Sequence, residues 1–391
     1  MNTLERLDAS LPLSEEERML LASVQNLART QIAPRAEHYD RSAEFPWDNI
    51  KAINALGLNA MFIPEAYGGA PMSYSAYLAC LRAIAKACAS TGIIWASTFH
   101  GIKPVITFGS EEQKQRLLPR VAEGGLVSLV ITEAGAGSDA TGMMTRFEPQ
   151  GDDILVNGSK IFITSGDVAD LLLVFGKWSP IADAKGAISA LVVEKGTPGL
   201  SVLRTEDKLG HRASSTAALS FDNCRVPRAN LIGSPGDGLP ILFASLNKSR
   251  PSVAAHALGI ARAAFEDALA YINDRRQSGR RIIEFQGIQF MLADLASELA
   301  LCERWLWHVG TLVDAGVDDM AIEASMLKMR ATDLAMRMAT DVVQLYGGYG
   351  YCKDYRVERL LRDAKITQIW EGTNQVHRQL IGRSFMKKAG A

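Results

Sequence analysis

Apolar residues recur at helical spacing through the first third of the chain. Leu20, Leu21, Val24, Leu27 and Ile32 share one side of a stretch that opens with Ser14 and Glu17, a capping box. The pattern predicts a helix ending near Pro34, a second over 47–56 stopped by Gly57, a long Ala-rich helix over 73–100 and another over 111–121. Near Gly124 the period changes. Short apolar runs at 127–131, 154–157, 160–163, 171–175, 187–193 and 217–221 are separated by Gly, Asp, Asn and Pro. Such runs predict a β domain of about a hundred residues, and the absence of helix alternation excludes a Rossmann arrangement. From about Gly236 helical spacing returns, over 238–274, 284–314, 319–346 and 373–387. The second of these regions is apolar on more than one face over 291–313, as expected of a bundle helix covered on several sides. The predicted fold is α+β and multidomain: a helical region over 1–124, a β region over 125–235 and a helical region over 236–391.

Composition narrows the function classes. A chain of 391 residues, 48% hydrophobic, can bury the cores of two or three domains. A net charge of −1 gives no electrostatic case for nucleic acid or an anionic membrane. No apolar run approaches the ~18 residues of a spanning helix. The acidic N-terminal stretch lacks the basic-then-apolar order of a signal peptide, so a cytoplasmic setting is expected. Five cysteines without a CxxC and six histidines at scattered positions predict neither a disulfide scaffold nor a metal centre.

Several stretches carry candidate chemistry. Glu371 follows the apolar segment 366–370 and precedes Gly372, Thr373 and Asn374, a helix-start signal. A carboxylate placed among apolar neighbours is a candidate general base, and a carboxylate near a helix start is equally a candidate cap. ITEAGAGSD, over 131–139, offers small residues and free backbone N–H groups to a ligand. Phe162 and Thr164, at a strand end, offer an aromatic face and a hydroxyl. The four arginines of RRQSGRR, over 275–281, suit a pyrophosphate or a solvated loop. QLYGGYG, over 344–350, holds more glycines than a helix C-cap needs. NKSRP, over 247–251, is expected to break its helix.

ITEAGAGSD, KIFITSG, KLGHRASSTAALSFDNCRVP, NKSRP, RRQSG with FQGIQFMLADLA, QLYGGYGY and RDAKITQIWEGTNQVHR stand together in an order that resembles the acyl-CoA dehydrogenase family. The resemblance covers nearly the whole chain. It implies a helical N-terminal domain, a central β-barrel, a C-terminal four-helix bundle, and FAD between barrel and bundle. It implies Glu371 as the base that removes the α-proton of an acyl-CoA thioester while the flavin takes the β-hydride. Leu129, Ile131, Thr132, Gly137 and Ser138 then lie beside the flavin, with Ser138 also reaching substrate, and Phe162 and Thr164 pack on the ring. Arg275, Gln277, Gln286, Gln344, Gly347 and Gly348 match positions that hold the FAD pyrophosphate and adenosine across a subunit interface. Thr373 and Gln375 match further FAD contacts, and Asn247, Arg250 and Gly372 match substrate contacts. Some subfamilies carry their base near NKSRP, where this chain has Ser249, which leaves Glu371 as the single candidate. Bulky Trp95 in the helix expected to line the acyl pocket implies a short or branched acyl group, and Arg82 is expected at the surface or between domains. The resemblance also implies a homotetramer, a dimer of dimers, and electron-transferring flavoprotein as electron acceptor. The alternatives are another flavin chemistry on the same fold, a desulfinase or monooxygenase, and a helical oligomer without flavin.

Overall fold

The computed structural model describes residues 6, 8–183, 185–317 and 319–386. The N-terminal region is helical: α1 (Glu15–Leu27), α2 (Ala33–Ser42), α3 (Trp47–Ala55), α4 (Tyr74–Ala87), α5 (Ala89–Phe108) and α6 (Glu111–Ala122). The capping box at α1 forms as expected, Ser14 accepting from the Glu17 N–H while the Glu17 carboxylate accepts from the Ser14 N–H at 2.9 Å. Ser110 and Gln113 repeat the device at α6. Each such cap contributes about 1 kcal/mol.

Two expectations are corrected here. Pro34 does not end the first helix. A π turn over Ala28–Ile32 carries the chain into α2, with Pro34 in its first turn, where its missing N–H costs nothing. The run over 73–100 is not one helix either. Cys88 adopts an extended conformation, φ −154° and ψ 109°, and divides it into α4 and α5.

The middle region is one sheet of eight strands: β1 (Val127–Val130), β2 (Arg146–Gln150), β3 (Asp153–Thr164), β4 (Leu171–Trp178), β5 (Ile188–Glu194), β6 (Leu200–Thr205), β7 (Thr216–Pro227) and β8 (Leu231–Ile232). The strand path is β6-β7-β3-β2-β4-β5-β8, with β1 parallel to β4. The runs at 154–157 and 160–163 belong to the single strand β3, which pairs with β7 through two register shifts. The second shift falls between Lys160 and Ile163, so the residues between them leave the ladder.

Helices return in α7 (Gly238–Asp274), α8 (Gln286–Asp314), α9 (Ala321–Tyr346), α10 (Val357–Thr367) and α11 (Asn374–Ser384). NKSRP does not break α7, which runs through Pro251. Proline in a helix interior strands the carbonyl four residues earlier. Next to that position the Lys248 carbonyl accepts from both the Tyr74 hydroxyl and the Ser252 hydroxyl. The RRQSGRR loop is a tight hairpin, β9 (Arg276–Gln277) with β10 (Arg280–Arg281), turned by Ser278 and Gly279 at positive φ.

α7 packs against α9, α4, α5 and α10, and so links the two helical regions. Arg82 lies within that junction and is buried, not at the surface. It donates to Glu303 at 2.8 Å and to Asp8 at 2.6 Å, and Arg262 reaches the same two carboxylates. Glu303 is fully buried, and its two arginine partners supply the opposite charge that such burial requires.

Candidate active site

β1 ends where the loop over 131–139 begins, and one buried ion pair fixes that loop. Glu133 accepts from the Met144 and Thr145 N–H groups and the Thr145 hydroxyl, and pairs with Lys160 at 2.8 Å. Lys160 also donates to the Ile131 carbonyl at 2.7 Å. Burial brings the Lys160 ammonium down to about 8 against the opposing pull of Glu133. Burial alone would raise the Glu133 carboxyl, but Lys160 and the hydrogen bonds outweigh it and hold it below its ordinary value. The Thr132 carbonyl accepts from the Ile161 N–H at 2.9 Å. Leu129, Ile131 and Thr132 are half-buried there, and Gly137 and Ser138 are exposed.

Across this loop, the bulge in β3 presents Phe162. Its φ is +61°, a conformation costly for a bulky residue, and its side chain is 61% exposed. The exposed ring leaves an aromatic face open at this position. The neighbouring Thr164 is anchored by its carbonyl, which accepts from Ser128 at 2.7 Å.

Glu371 sits in the turn between α10 and α11 with φ +53°, followed by Gly372 at φ +91°. Two successive left-handed residues swing the carboxylate back toward α7. There the buried Ser249 hydroxyl donates to Glu371 Oε2 at 2.5 Å. The neighbours that feel its charge are Arg250 on α7, Lys328 on α9, His100 on α5 and Tyr77 on α4. His100 is buried and its imidazole is pushed down by burial, which keeps it neutral near pH 7. Arg250 donates to Asn247 at 3.2 Å, while its Nε has no hydrogen-bond partner among the described residues.

Beside the carboxylate lies an aromatic wall. Tyr77, Trp95, Phe99 and Phe62 interlock at centroid distances of 4.6 to 5.4 Å. Trp95 is 2% exposed. On the other side Trp370 meets the ring edges of His211 and His256, which share a hydrogen bond at 2.8 Å.

The remaining candidates form a second group. Thr373 caps α11 by accepting from the Val376 N–H, and Gln375 is exposed in the first turn. The Arg275 guanidinium stacks over Tyr349 at 5.4 Å, which brings the arginine hairpin onto the glycine turn. Gln277, Gln286, Gln344, Gly347 and Gly348 are exposed around that contact. Gly347 has φ +60°, and a side chain built at Gly347 or Gly348 would meet nothing within 4 Å. Close approach of protein backbone occurs instead at Gly350, against the Val343 carbonyl.

Residues that motif reasoning passed over complete the site: Tyr77, His100, Lys160, Glu133 and Lys328. A lone Lys or His in a helical run gives no sequence signal. Only the Glu133–Lys160 pairing lay inside recognised motifs, as one charge in each of two adjacent stretches.

Family models for the acyl-CoA dehydrogenase N-terminal, middle and C-terminal domains match residues 14–125, 128–224 and 236–386. An acyl-CoA dehydrogenase of Bacillus subtilis (strain 168) is 44% identical over 376 residues, covering 96% of this chain and 99% of the relative. The solved structure of butyryl-CoA dehydrogenase from Megasphaera elsdenii superposes with a TM-score of 0.93 at 34% identity, covering 97% of this chain and 100% of that one. A glutaryl-CoA dehydrogenase from Mycobacterium smegmatis, solved in complex with FADH2, gives a TM-score of 0.90 at 28% identity over 99% of this chain and 97% of that one. The chain therefore belongs to the FAD-dependent acyl-CoA dehydrogenase family and is an oxidoreductase acting on acyl-CoA.

Proposed function

We propose that the protein catalyses α,β-dehydrogenation of a short or branched acyl-CoA to the trans-2-enoyl-CoA, with Glu371 as the base. The observation that carries this is the Glu371 carboxylate, turned back by two left-handed residues onto the wall that Tyr77, Trp95 and Phe99 build. Bound FAD supplies the hydride acceptor. The protein's own residues bind, orient and move the proton. Glu371 takes the proton from the carbon next to the thioester carbonyl, and the C–H electron pair passes into the bond forming between Cα and Cβ. Negative charge building on the thioester oxygen needs a donor held in place beforehand, and the Glu371 backbone N–H is the family's candidate. Ser249 fixes which Glu371 oxygen remains free to accept the proton, since Oε2 already accepts its hydroxyl. Ser138, Asn247, Arg250 and Gly372 complete the substrate contacts in this proposal.

The cofactor surface fits FAD on chemical grounds. Exposed Phe162 and the loop from Leu129 to Ser138 suit a flat ring, and the hairpin arginines with the open Gly347 and Gly348 backbone suit a pyrophosphate. Loss of one charge-assisted contact costs roughly 1.5–3 kcal/mol. Arg275→Ala should therefore weaken FAD retention about 10- to 100-fold, read by release of FAD fluorescence on dilution. Unchanged retention would remove Arg275 from the cofactor site.

Trp95 supports the short acyl group, because its indole fills space between Phe62 and Tyr77. Each methylene accommodated in an apolar pocket is worth about 1–3 kcal/mol. Trp95→Leu should raise kcat/KM for octanoyl-CoA relative to butyryl-CoA at least about tenfold. An unaltered ratio would place the end of the acyl pocket elsewhere.

The proposal extends to assembly and setting. Phe290, Leu301 and Trp305, 62%, 71% and 37% exposed, share one face of α8, as a homotetramer built on the helical region would need. The domain division near 124 and 235 is supported by element ends at Ala122 and Ile232. Electron-transferring flavoprotein is the proposed electron acceptor. The five cysteines are all free and no described helix is long and apolar enough to cross a membrane, which supports a cytoplasmic setting.

A further inference from the structure

The turn that carries Glu371 is held from one side by a single turn of α9. Asp333 accepts from Gln368 at 2.7 Å, from Asn374 at 2.7 Å and from Arg378 at 2.6 Å. Thr332 and Asn374 exchange a hydrogen bond at 2.9 Å. One turn earlier, Lys328 donates to the Gly372 carbonyl at 2.7 Å and to Asn374 Oδ1 at 3.1 Å. Lys328 is 0% exposed. Among the described residues no carboxylate lies within ion-pair distance of it. A buried ammonium normally requires a contacting anion, because desolvation costs several kcal/mol. The carboxylate that does most to stabilise this charge is Glu371 itself, with Asp333 weaker and Arg250 opposed.

This arrangement has no structural necessity that a neutral residue could not meet. Asn374 Oδ1 already accepts from Thr332, and a neutral amide at position 328 could donate to the Gly372 carbonyl. What only a charged residue supplies is a fixed positive potential behind the base. Before proton transfer that potential faces the Glu371 carboxylate. As Glu371 becomes neutral, the same charge faces the negative charge that builds on the thioester oxygen while the proton moves.

Resting on the proposed function, we propose that Lys328 is a positioning residue for the reaction: it fixes the Glu371–Gly372 turn through the Gly372 carbonyl and supplies the standing positive charge across which the proton moves. The proton leaves substrate Cα, arrives on the free Glu371 oxygen, and never passes through Lys328. Burial brings Lys328 down to about 7, with Glu371 and Asp333 opposing that shift and Arg250 adding to it. The remaining titratable neighbour is His377 on α11, pushed down to about 3 by burial with Lys328 and Arg250 adding, and so neutral in the working range. A charge lost as pH rises through about 7 predicts an alkaline limb in the rate.

The test uses FAD-loaded full-length protein in anaerobic stopped flow, reduced by whichever of propionyl-, butyryl- or isobutyryl-CoA bleaches the wild-type flavin fastest. Lys328→Met should slow the first-order reduction about 100-fold and leave the half-saturating acyl-CoA concentration within about threefold. It should also lose the alkaline limb. Lys328→Gln, which keeps a donor to Gly372, should recover part of the rate without restoring the limb. Reduction by Lys328→Met within about threefold of wild type, or a limb that persists in it, would overturn the proposal. Should neither variant retain FAD, the wild-type profile decides alone: a fall centred near 7 supports Lys328, and a flat rate from about pH 6 to 9 contradicts it. Wild-type flavin that no acyl-CoA bleaches would instead remove the proposed function on which this rests.

Discussion

Glu371→Gln is expected to abolish reduction of the bound flavin by acyl-CoA, slowing it about 10⁴-fold, while FAD and substrate still bind. The amide keeps the size of the carboxylate and can still accept from the Ser249 hydroxyl. It cannot take a proton from carbon. The strained backbone at Glu371 is unchanged by the substitution, so the turn and the Gly372–Lys328 contact should persist. Rapid-mixing absorbance at the flavin band measures the rate directly, and a titration with a non-reducing thioester measures binding. Bleaching at even a tenth of the wild-type rate would mean that another group removes the proton. His100, neutral and beside the same carboxylate, would be the next group to test.

The second large effect concerns stability. Glu303→Gln should destabilise the fold by about 3–5 kcal/mol, the cost of leaving buried charge without its partner. Arg82 and Arg262 would then lose their fully buried carboxylate, while Asp8, which remains with both, is the partly exposed member of the group. That carboxyl sits below its ordinary value because the two arginines outweigh its burial, so it is already committed to both. The measurement is the denaturant midpoint at constant slope, since a change in slope would report a different unfolding process. A shift under about 1 kcal/mol would show that Asp8 and solvent suffice. Flavin reduction in the surviving folded protein should be near normal, because the ion pairs that Glu303 makes join it to Arg82 and Arg262 and not to the Glu371 turn.

Much of the fold was legible because local chemistry and burial agree. Ser14 with Glu17 announces α1, and that capping box forms. The apolar runs of β4 and β5 are buried on both faces and so stood out. β6 did not, because five of its six residues are exposed and it leaves no alternation to detect. β2 is interrupted by polar residues and Pro149 at the same cost. α10 was missed although Val357, Leu360 and Ala364 stand at helical spacing and are buried, since its last residues merge with the apolar segment before Glu371. The division at Cys88 carries no Gly or Pro to announce it, and both α4 and α5 pack against α7.

The candidate site divides in the same way. Glu371, Phe162 and the hairpin arginines were visible through the motifs around them. The left-handed backbone that aims Glu371 and Phe162 was not, because neither is Gly or Asn, the residues that usually mark such positions. Lys328 was invisible for a different reason. A lysine in an amphipathic helix reads as solvated, and only the approach of the Gly372 carbonyl from 44 positions away makes its burial meaningful.

Glu371 and the neighbouring flavin surface are expected to dehydrogenate a short acyl thioester. Anaerobic mixing of the FAD-loaded protein with a panel from propionyl- and isobutyryl-CoA through butyryl- and octanoyl-CoA to aromatic thioesters tests it most directly. Rapid bleaching by one short or branched member is expected, with the enoyl-CoA recovered in one equivalent per flavin. Bound FAD left oxidised by every member would contradict it and move the chemistry of this site to another flavin reaction.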